Sequence, residues 1–441
     1  MPSTLRFAAA FLAFGILAAP LAAQEAKDDP ADEKRLKAGD RDPEFILRVN
    51  TAIGKGIDWL LKQQTEDGSF KTDYDTRADG ALGPWAGGST ALVLLALLKS
   101  GVGAHDEAIE KGFAFLRTQP AQKTYTVGLT LMALEARWRH QKVEDRIRGG
   151  TQAVQPAPAK IPPKDLDWMK ELAVFLLENI TYSKRETVNG VNSTPKDCWT
   201  YPPDGGGDHS NTQYAILGLR AAQTCGVPIP RDLWEDVWAK VIDHFVDRQE
   251  REGPKVQRVK ILEDKEHGYV SYKTVTSIPD TARGWTYTAG LVAKAGGADQ
   301  MSAVTGSMTS VGVASLIIAL DCLTQLGSPK LGEARKTDAL KAANDGLAWL
   351  THNFSVETNP GHPQGSWHYY YLYGLERAGV LAGARNLGQH DWYREGAEWL
   401  LGAQSSNGSW TKKASNLQID SCFALLFLTK ATMPGKVQIT R

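Results

Sequence analysis

Lys55-Gly56-Ile57-Asp58-Trp59-Leu60-Leu61-Lys62-Gln63-Gln64-Thr65-Glu66-Asp67-Gly68-Ser69-Phe70 lies near the start of the chain. Near its end the same pattern returns as Glu395-Gly396-Ala397-Glu398-Trp399-Leu400-Leu401-Gly402-Ala403-Gln404-Ser405-Ser406-Asn407-Gly408-Ser409-Trp410. Each copy is followed by a strongly apolar run, Ala91 to Leu98 and Phe423 to Leu428. Self-similarity of this kind marks a repeat architecture, in which each unit buries its apolar face against the next.

Working inward, the same two-part unit recurs. Its first part opens on Gly-x-x-(Trp/Phe)-Leu: Gly56 to Gln64, Gly112 to Gln119, Gly346 to Phe354 and Gly396 to Gln404. Leu172 to Asn179 and Trp238 to Gln249 are weaker copies. Apolar residues recur there at three and four positions, which predicts helices with one buried stripe. The second part is apolar nearly all round: Ala91 to Leu98, Val127 to Leu134, Tyr214 to Leu219, Val311 to Leu323, Tyr369 to Leu375 and Phe423 to Leu428. Such helices must be covered on most sides, so the alternation predicts six helical hairpins in an outer and an inner layer over residues 46–432. Residues 139–167, rich in Pro and Gly, read as an exposed insertion. Residues 251–309 read as a second, with hairpin-like strands at Val256 to Leu262, Gly268 to Val275 and Gly284 to Thr288.

The Gln-x-x-x-Gly-x-Phe/Trp endings (Gln64, Gly68, Phe70; Gln404, Gly408, Trp410) resemble the QW motif of squalene and hopene cyclases. They are similar also to the repeats of protein prenyltransferase β subunits. The resemblance implies an all-α fold, an α/α toroid with six inner and six outer helices around a central cavity. In this reading glycine ends the helix, glutamine bonds exposed backbone groups, and the aromatic ring packs over the turn.

Residues 1–23 read as a secretory signal: Arg6, then apolar Phe7 to Ala19, then Leu21-Ala22-Ala23. A retained anchor is the competing reading, although the run is short for a span. Residues 24–45 form a charged leader without large apolar content, expected to be disordered, and 433–441 a tail. The expected destination is the periplasm or the exterior. Fifty basic and fifty acidic residues balance to zero, and no basic block stands out. That argues against nucleic acid or an anionic membrane surface as the main partner. Cys198, Cys225, Cys322 and Cys422 are widely spaced, and three sit in or beside apolar helical stretches, where a thiol behaves as a small core residue.

A functional site in such a toroid is expected where the inner helices begin, because helix N-termini are electropositive and carry free N–H groups. Most Ser and Thr residues there read as helix caps. Asp208, His209, His368, Tyr369 and Asp420 are the weak catalytic candidates, a set of acids, bases and phenols able to move protons. The cyclase acid motif is reduced to Asp280-Thr281-Ala282. Asp28-Asp29-Pro30-Ala31-Asp32 lies in the leader. Asp420-Ser421-Cys422 matches the start of the prenyltransferase zinc set, but no histidine follows His390. Cys225-Gly226-Val227 is a fragment of the complement thioester motif. No metal or cofactor is therefore expected. Two function classes stay open. One is a toroid that binds a small apolar or carbohydrate ligand, or a protein partner, without standard cyclase or prenyltransferase chemistry. The other is an enzyme using the central cavity, either isoprenoid-cyclase-like or a carbohydrate lyase or hydrolase. Fold alone does not choose between them.

Overall fold

The computed structural model describes residues 43–76, 83, 85–120, 122–139, 160–180, 187–188, 191–192, 198–200, 207–264, 269–288, 303–362 and 366–432. The expected signal (1–23), the leader as far as 42 and the tail (433–441) lie outside these residues. Two units are distinguished: Met1–Asp42 with Lys260–Lys273, and Pro43–Val259 with Thr274–Arg441. Of the first, only strand segments are described. The helices belong to the second.

Twelve α-helices occur among the described residues: α1 (Pro43–Leu61), α2 (Gly88–Lys99), α3 (Glu107–Arg117), α4 (Thr124–Trp138), α5 (Pro163–Glu178), α6 (His209–Thr224), α7 (Arg231–Arg248), α8 (Gly306–Leu326), α9 (Glu333–His352), α10 (His368–Leu381), α11 (Trp392–Ala403) and α12 (Leu417–Leu428). The even-numbered helices pack in closed order, α2 on α4, α4 on α6, and so on through α12, which returns to α2. The odd-numbered helices lie outside them: α1 on α2 and α12, α5 on α4 and α6, α7 and α9 on α8, α11 on α10 and α12. This is the expected α/α toroid.

Burial follows the layers. In α1 only Phe45, Val49, Ala52, Ile53, Gly56 and Leu60 are buried, a single stripe at helical spacing. In α2 every residue is buried, and in α8 every residue from Gly306 to Leu323. Helix α8 is long and apolar enough to cross a membrane, but its most apolar window is wholly buried in protein. Helix starts are capped by side chains: Asp106, Asp208, Thr305, Asp391 and Asn416 each accept from a backbone N–H two or three residues on.

The repeated motif turns out to be a plug that fits the next outer helix. Gln404 donates from Nε2 to the carbonyl of Gly408 in its own turn and to that of Ala52 in α1, both at 2.9 Å. Gln64 does the same with Gly68 (3.0 Å) and with Ala108 in α3 (2.8 Å). Gly68 and Gly408 adopt positive φ, 83° and 98°. A Cβ on either would strike backbone, the carbonyl of Lys111 at 2.6 Å or of Lys55 at 2.2 Å, so only glycine fits. The Trp410 ring lies against Gly56, where a Cβ would come within 2.8 Å of it. The helix-opening glycine seen in the sequence is thus a socket. The last repeat inserts into the first and closes the ring.

The structure corrects several boundaries. Helix α1 begins at Pro43, inside the expected leader, and α5 and α8 begin within the expected insertions 139–167 and 251–309. Strands β3 (Lys255–Asp264) and β4 (Tyr269–Thr281) pair as the sequence suggests. Gly284 to Thr288, expected as strand, makes only isolated bridges, because it is the returning arm of a motif. A short antiparallel pair, β1 (Thr187–Val188) and β2 (Val191–Asn192), is a further element that the sequence pattern does not announce. Cys225, Cys322 and Cys422 form no disulfide.

Candidate functional site at the mouth of the ring

The loops leading into the inner helices meet at one end of the ring. Thr126, in the first turn of α4, donates to the carbonyl of Ala86 just before α2 (3.0 Å). Gln418, in the first turn of α12, donates to the carbonyl of Phe70 (2.7 Å). Aromatic rings line this end in sequence. Tyr74 stacks on Trp85 at 5.1 Å, Trp85 on Tyr125 at 4.6 Å, and Tyr125 leans on Tyr214 at 4.5 Å. Tyr214 then faces Tyr370 at 6.4 Å, and Tyr370 meets Phe423 edge-on at 5.7 Å. Offset and edge-on contacts of this kind are the favoured ring geometries.

Deeper in, side chains cross the axis. Helices α6 and α10 are separated in the ring by α8, yet Gln213 of α6 reaches both Tyr370 and Arg377 of α10. Its Nε2 donates to the Tyr370 hydroxyl (3.1 Å), and its Oε1 accepts from Arg377 Nη2 (2.7 Å). The Arg377 guanidinium lies over the Tyr373 ring, 3.9 Å from its centre. Gln213, Tyr214, Tyr370, Tyr373 and Arg377 are all buried.

The five sequence candidates stand at this end, but each is engaged separately. Asp208 caps α6, accepting from Asn211 through its N–H and its side-chain amide, both at 2.8 Å, and from Ser210 Oγ at 2.5 Å. Burial raises its pKa, and the bonds from Ser210 and Asn211 oppose that rise. His209 turns outward: Nδ1 meets the carbonyl of Thr286 at 2.6 Å and Nε2 meets His244 Nε2 of α7 at 3.1 Å. Burial holds His209 down to about 4. His368 bonds the carbonyl of Val356 at 2.9 Å and is also lowered by burial to about 4. Tyr369 donates to the carbonyl of Lys412 at 2.7 Å, and burial raises its pKa. Asp420 accepts from the N–H groups of Ser415 (2.6 Å) and Asn416 (3.0 Å). Burial lifts it to about 6 despite those bonds. His209 and His368 serve loop carbonyls and Asp208 a helix cap, so the set does not converge on a common substrate atom. Asp420 and Tyr369 are close enough for the carboxylate to raise the phenol's pKa.

Among the described residues no three His, Cys, Asp or Glu side chains gather as metal ligands would. Away from the axis, a cavity of about 290 Å³ lies among α3, α4 and α5, lined in part by Arg117, Thr126, Lys164, Asp167 and Trp168. Sequence reasoning did not single out His244 or Arg377. The signal for the second was present: Glu376-Arg377 is a charged pair directly following the apolar run of an inner helix.

No protein-family model matches the chain, and no curated protein matches it. Among solved structures, a type II terpene cyclase from Scytonema, determined in complex with its product merosterolic acid A, is similar in fold at 12% identity. The match covers 88% of this chain and 98% of that one, with a TM-score of 0.44. A likeness at that level transfers no chemistry.

Proposed function

We propose that this chain is an exported toroid that binds a small apolar or carbohydrate ligand at the mouth of its ring, without standard cyclase or prenyltransferase chemistry. The observation that carries the reading is the bridge from Gln213 to Tyr370 and Arg377, which occupies the axis with side chains and leaves the aromatic mouth as the recognition surface. Tyr74, half-buried, offers a ring there, backed by the buried Trp85 and Tyr125 stacked behind it. Trp367, at the N-cap of α10, is 41% exposed and sits at φ 59°, a left-handed conformation that a bulky residue adopts only when its surroundings enforce it. Amphipathic aromatics with a few fixed polar groups suit small-ligand recognition. Export rests on the signal-like pattern of residues 1–23.

Native mass spectrometry with lipid and glycan extraction, on protein taken from the exported fraction of its source, tests this. A co-purifying glycan or apolar molecule, lost in Trp85→Ala, supports it. A clean apo mass, with no binding in glycan and lipid panels, overturns it.

Asp420 favours the second reading. A carboxyl held at about 6 beside a phenol is suited to general acid–base work near neutrality. Under that reading a turnover assay on the molecule recovered above would show product with wild type and none with Asp420→Asn.

A further inference from the structure

The two intact plugs meet the same positions at both of their joints. The glutamine stands four residues after a leucine of its outer helix, Gln64 after Leu60 and Gln404 after Leu400. Its amide bonds the carbonyl four residues before the next socket glycine, Ala108 before Gly112 or Ala52 before Gly56. The plug's glycine lies on the carbonyl just before that socket, of Lys111 or Lys55. The backbone N–H of its aromatic residue bonds a hydroxyl near the start of the following inner helix, Phe70 to Thr90 at 2.9 Å and Trp410 to Ser421 at 3.1 Å. Four residues beyond that hydroxyl, Leu94 and Leu425 pack on the sockets Gly112 and Gly56.

Between α3 and α5 these positions recur without a plug. Leu116 is followed four residues on by Pro120, which has no side-chain amide, and residues 118–123, the whole link from α3 to α4, contain neither glycine nor an aromatic residue. The register of α5 is set by Leu176, whose carbonyl accepts the Trp199 indole (2.8 Å) as that of Leu400 accepts Trp410 (2.9 Å). Counted back as in α1, Trp168 holds the position of the acceptor carbonyl, Glu171 the seat of the plug's glycine and Leu172 the socket. On α4, Thr126 is the hydroxyl near the helix start, and Thr130 stands where Leu94 and Leu425 stand, with a smaller side chain. Pro120, Thr126, Thr130, Trp168, Glu171 and Leu172 all line the cavity of about 290 Å³. The cavity is therefore the seat of a plug, and the α3–α4 link puts none into it.

We propose that this seat receives a polypeptide turn from a partner protein, a Gln-x-x-x-Gly segment with a small residue in place of the aromatic one. The occupant is polypeptide because a turn of backbone fills the same seat at the joints into α1 and α3. The small residue follows from Leu172, which brings a buried side chain to the position where Gly56 leaves room for the Trp410 ring. In the complex the glutamine amide bonds the Trp168 carbonyl and the turn's main chain bonds Thr126. Binding in trans thus reuses the contacts that close the ring in cis, as peptide recognition commonly reuses the contacts of the fold itself. The interface does not rest on a ligand at the mouth.

The probe is a peptide copy of Lys62 to Lys71 with Phe70→Ala, capped at both ends and carrying a photoreactive diazirine on its last lysine. It is titrated onto the folded full chain, and the labelled residues are mapped by mass spectrometry. Saturable labelling within residues 116–130 or 164–172 is expected. The same peptide with Gln64→Ala should bind about tenfold more weakly, the loss of one hydrogen bond. Thr126→Val in the protein should weaken binding by a similar factor. If that variant does not fold, the two peptides on wild type decide. Absence of saturable labelling up to about 1 mM, the weak limit for a specific site, overturns the proposal. So does equal binding of the two peptides. Labelling within residues 52–56 or 108–112 overturns it as well, because the peptide would then have displaced the chain's own plugs.

Discussion

Gln249 and Trp285 stand in the same relation as Gln404 and Trp410, although a β-hairpin separates them in the chain. Trp410 donates from its indole to the carbonyl of Leu400, four residues before the glutamine, at 2.9 Å; Trp285 donates likewise to Phe245 at 2.8 Å. Gln249 bonds the carbonyl of Arg283, two residues before the tryptophan, at 3.0 Å, and that of Ala342 in α9 at 2.9 Å. Gly346 of α9 then receives the Trp285 ring as Gly56 of α1 receives Trp410. The fourth repeat therefore carries a complete plug, split by residues 251–283. A third indole follows the rule: Trp199 donates to Leu176 at 2.8 Å, with Ile180 where the glutamine would be.

Trp410→Ala and Trp285→Ala should cost similar amounts, about 3–5 kcal/mol each, because each empties a fully buried site against a glycine socket. Chemical denaturation checks this. A loss below about 1 kcal/mol for Trp285→Ala would show that the split motif is not equivalent to the intact one.

Gln249→Ala should cost about 1–3 kcal/mol, since two carbonyls at the joint with α9 lose their donor. Gln325 is the control. It bonds Asp321 of its own helix, so Gln325→Ala should stay within about 0.5 kcal/mol of wild type. Equal losses in the two variants would remove the special role of the motif glutamine.

The hairpin between the two halves should be dispensable for folding. Its base is already closed, with Ala282 N–H donating to the carbonyl of Pro254 at 2.8 Å. Replacing residues 255–281 by a short Gly-Ser turn should leave Tm within a few degrees, because loop length alone costs little. A collapse in Tm would make the hairpin part of the core.

The intact plugs were legible in the sequence because glutamine, glycine and aromatic fall within a few residues at Gln64–Phe70 and Gln404–Trp410. The split one was not, because Gln249 and Trp285 come together only in three dimensions. The inner helices were legible through continuous apolarity. The five candidates do lie at one end of the ring, since polar residues cluster at helix starts. Their engagement was not readable: nothing local tells that His209 faces His244 rather than the axis. The part played by Arg377 was not legible because its bonding partner Gln213 lies on another helix.

Acid should weaken the fold through its buried imidazoles. His209 titrates near 4 in the folded chain and near 6.5 unfolded, so the unfolded chain binds more protons between those values. Stability falls as pH drops through that window, by up to about 3 kcal/mol from His209. His244 acts in the same direction. Denaturation from pH 7 to 4.5 should show His209→Gln losing less than wild type. Parallel curves would mean that the pair is already protonated or exposed.

Asp420 should act with the opposite sign. Its folded pKa of about 6 exceeds the ordinary 3.8, so the folded chain binds the extra proton between these values. The stability it contributes is full below 3.8 and lost as pH rises through 6, about 3 kcal/mol in all. Asp420→Asn lacks that loss. Relative to wild type, the variant should gain stability steadily from pH 4 to pH 7 and change no further above it. Ligand binding read on the same pair separates structure from function. If the mouth is used, affinity drops in Asp420→Asn even at pH 7, where the fold is no weaker. Unchanged affinity places Asp420 outside the recognition surface.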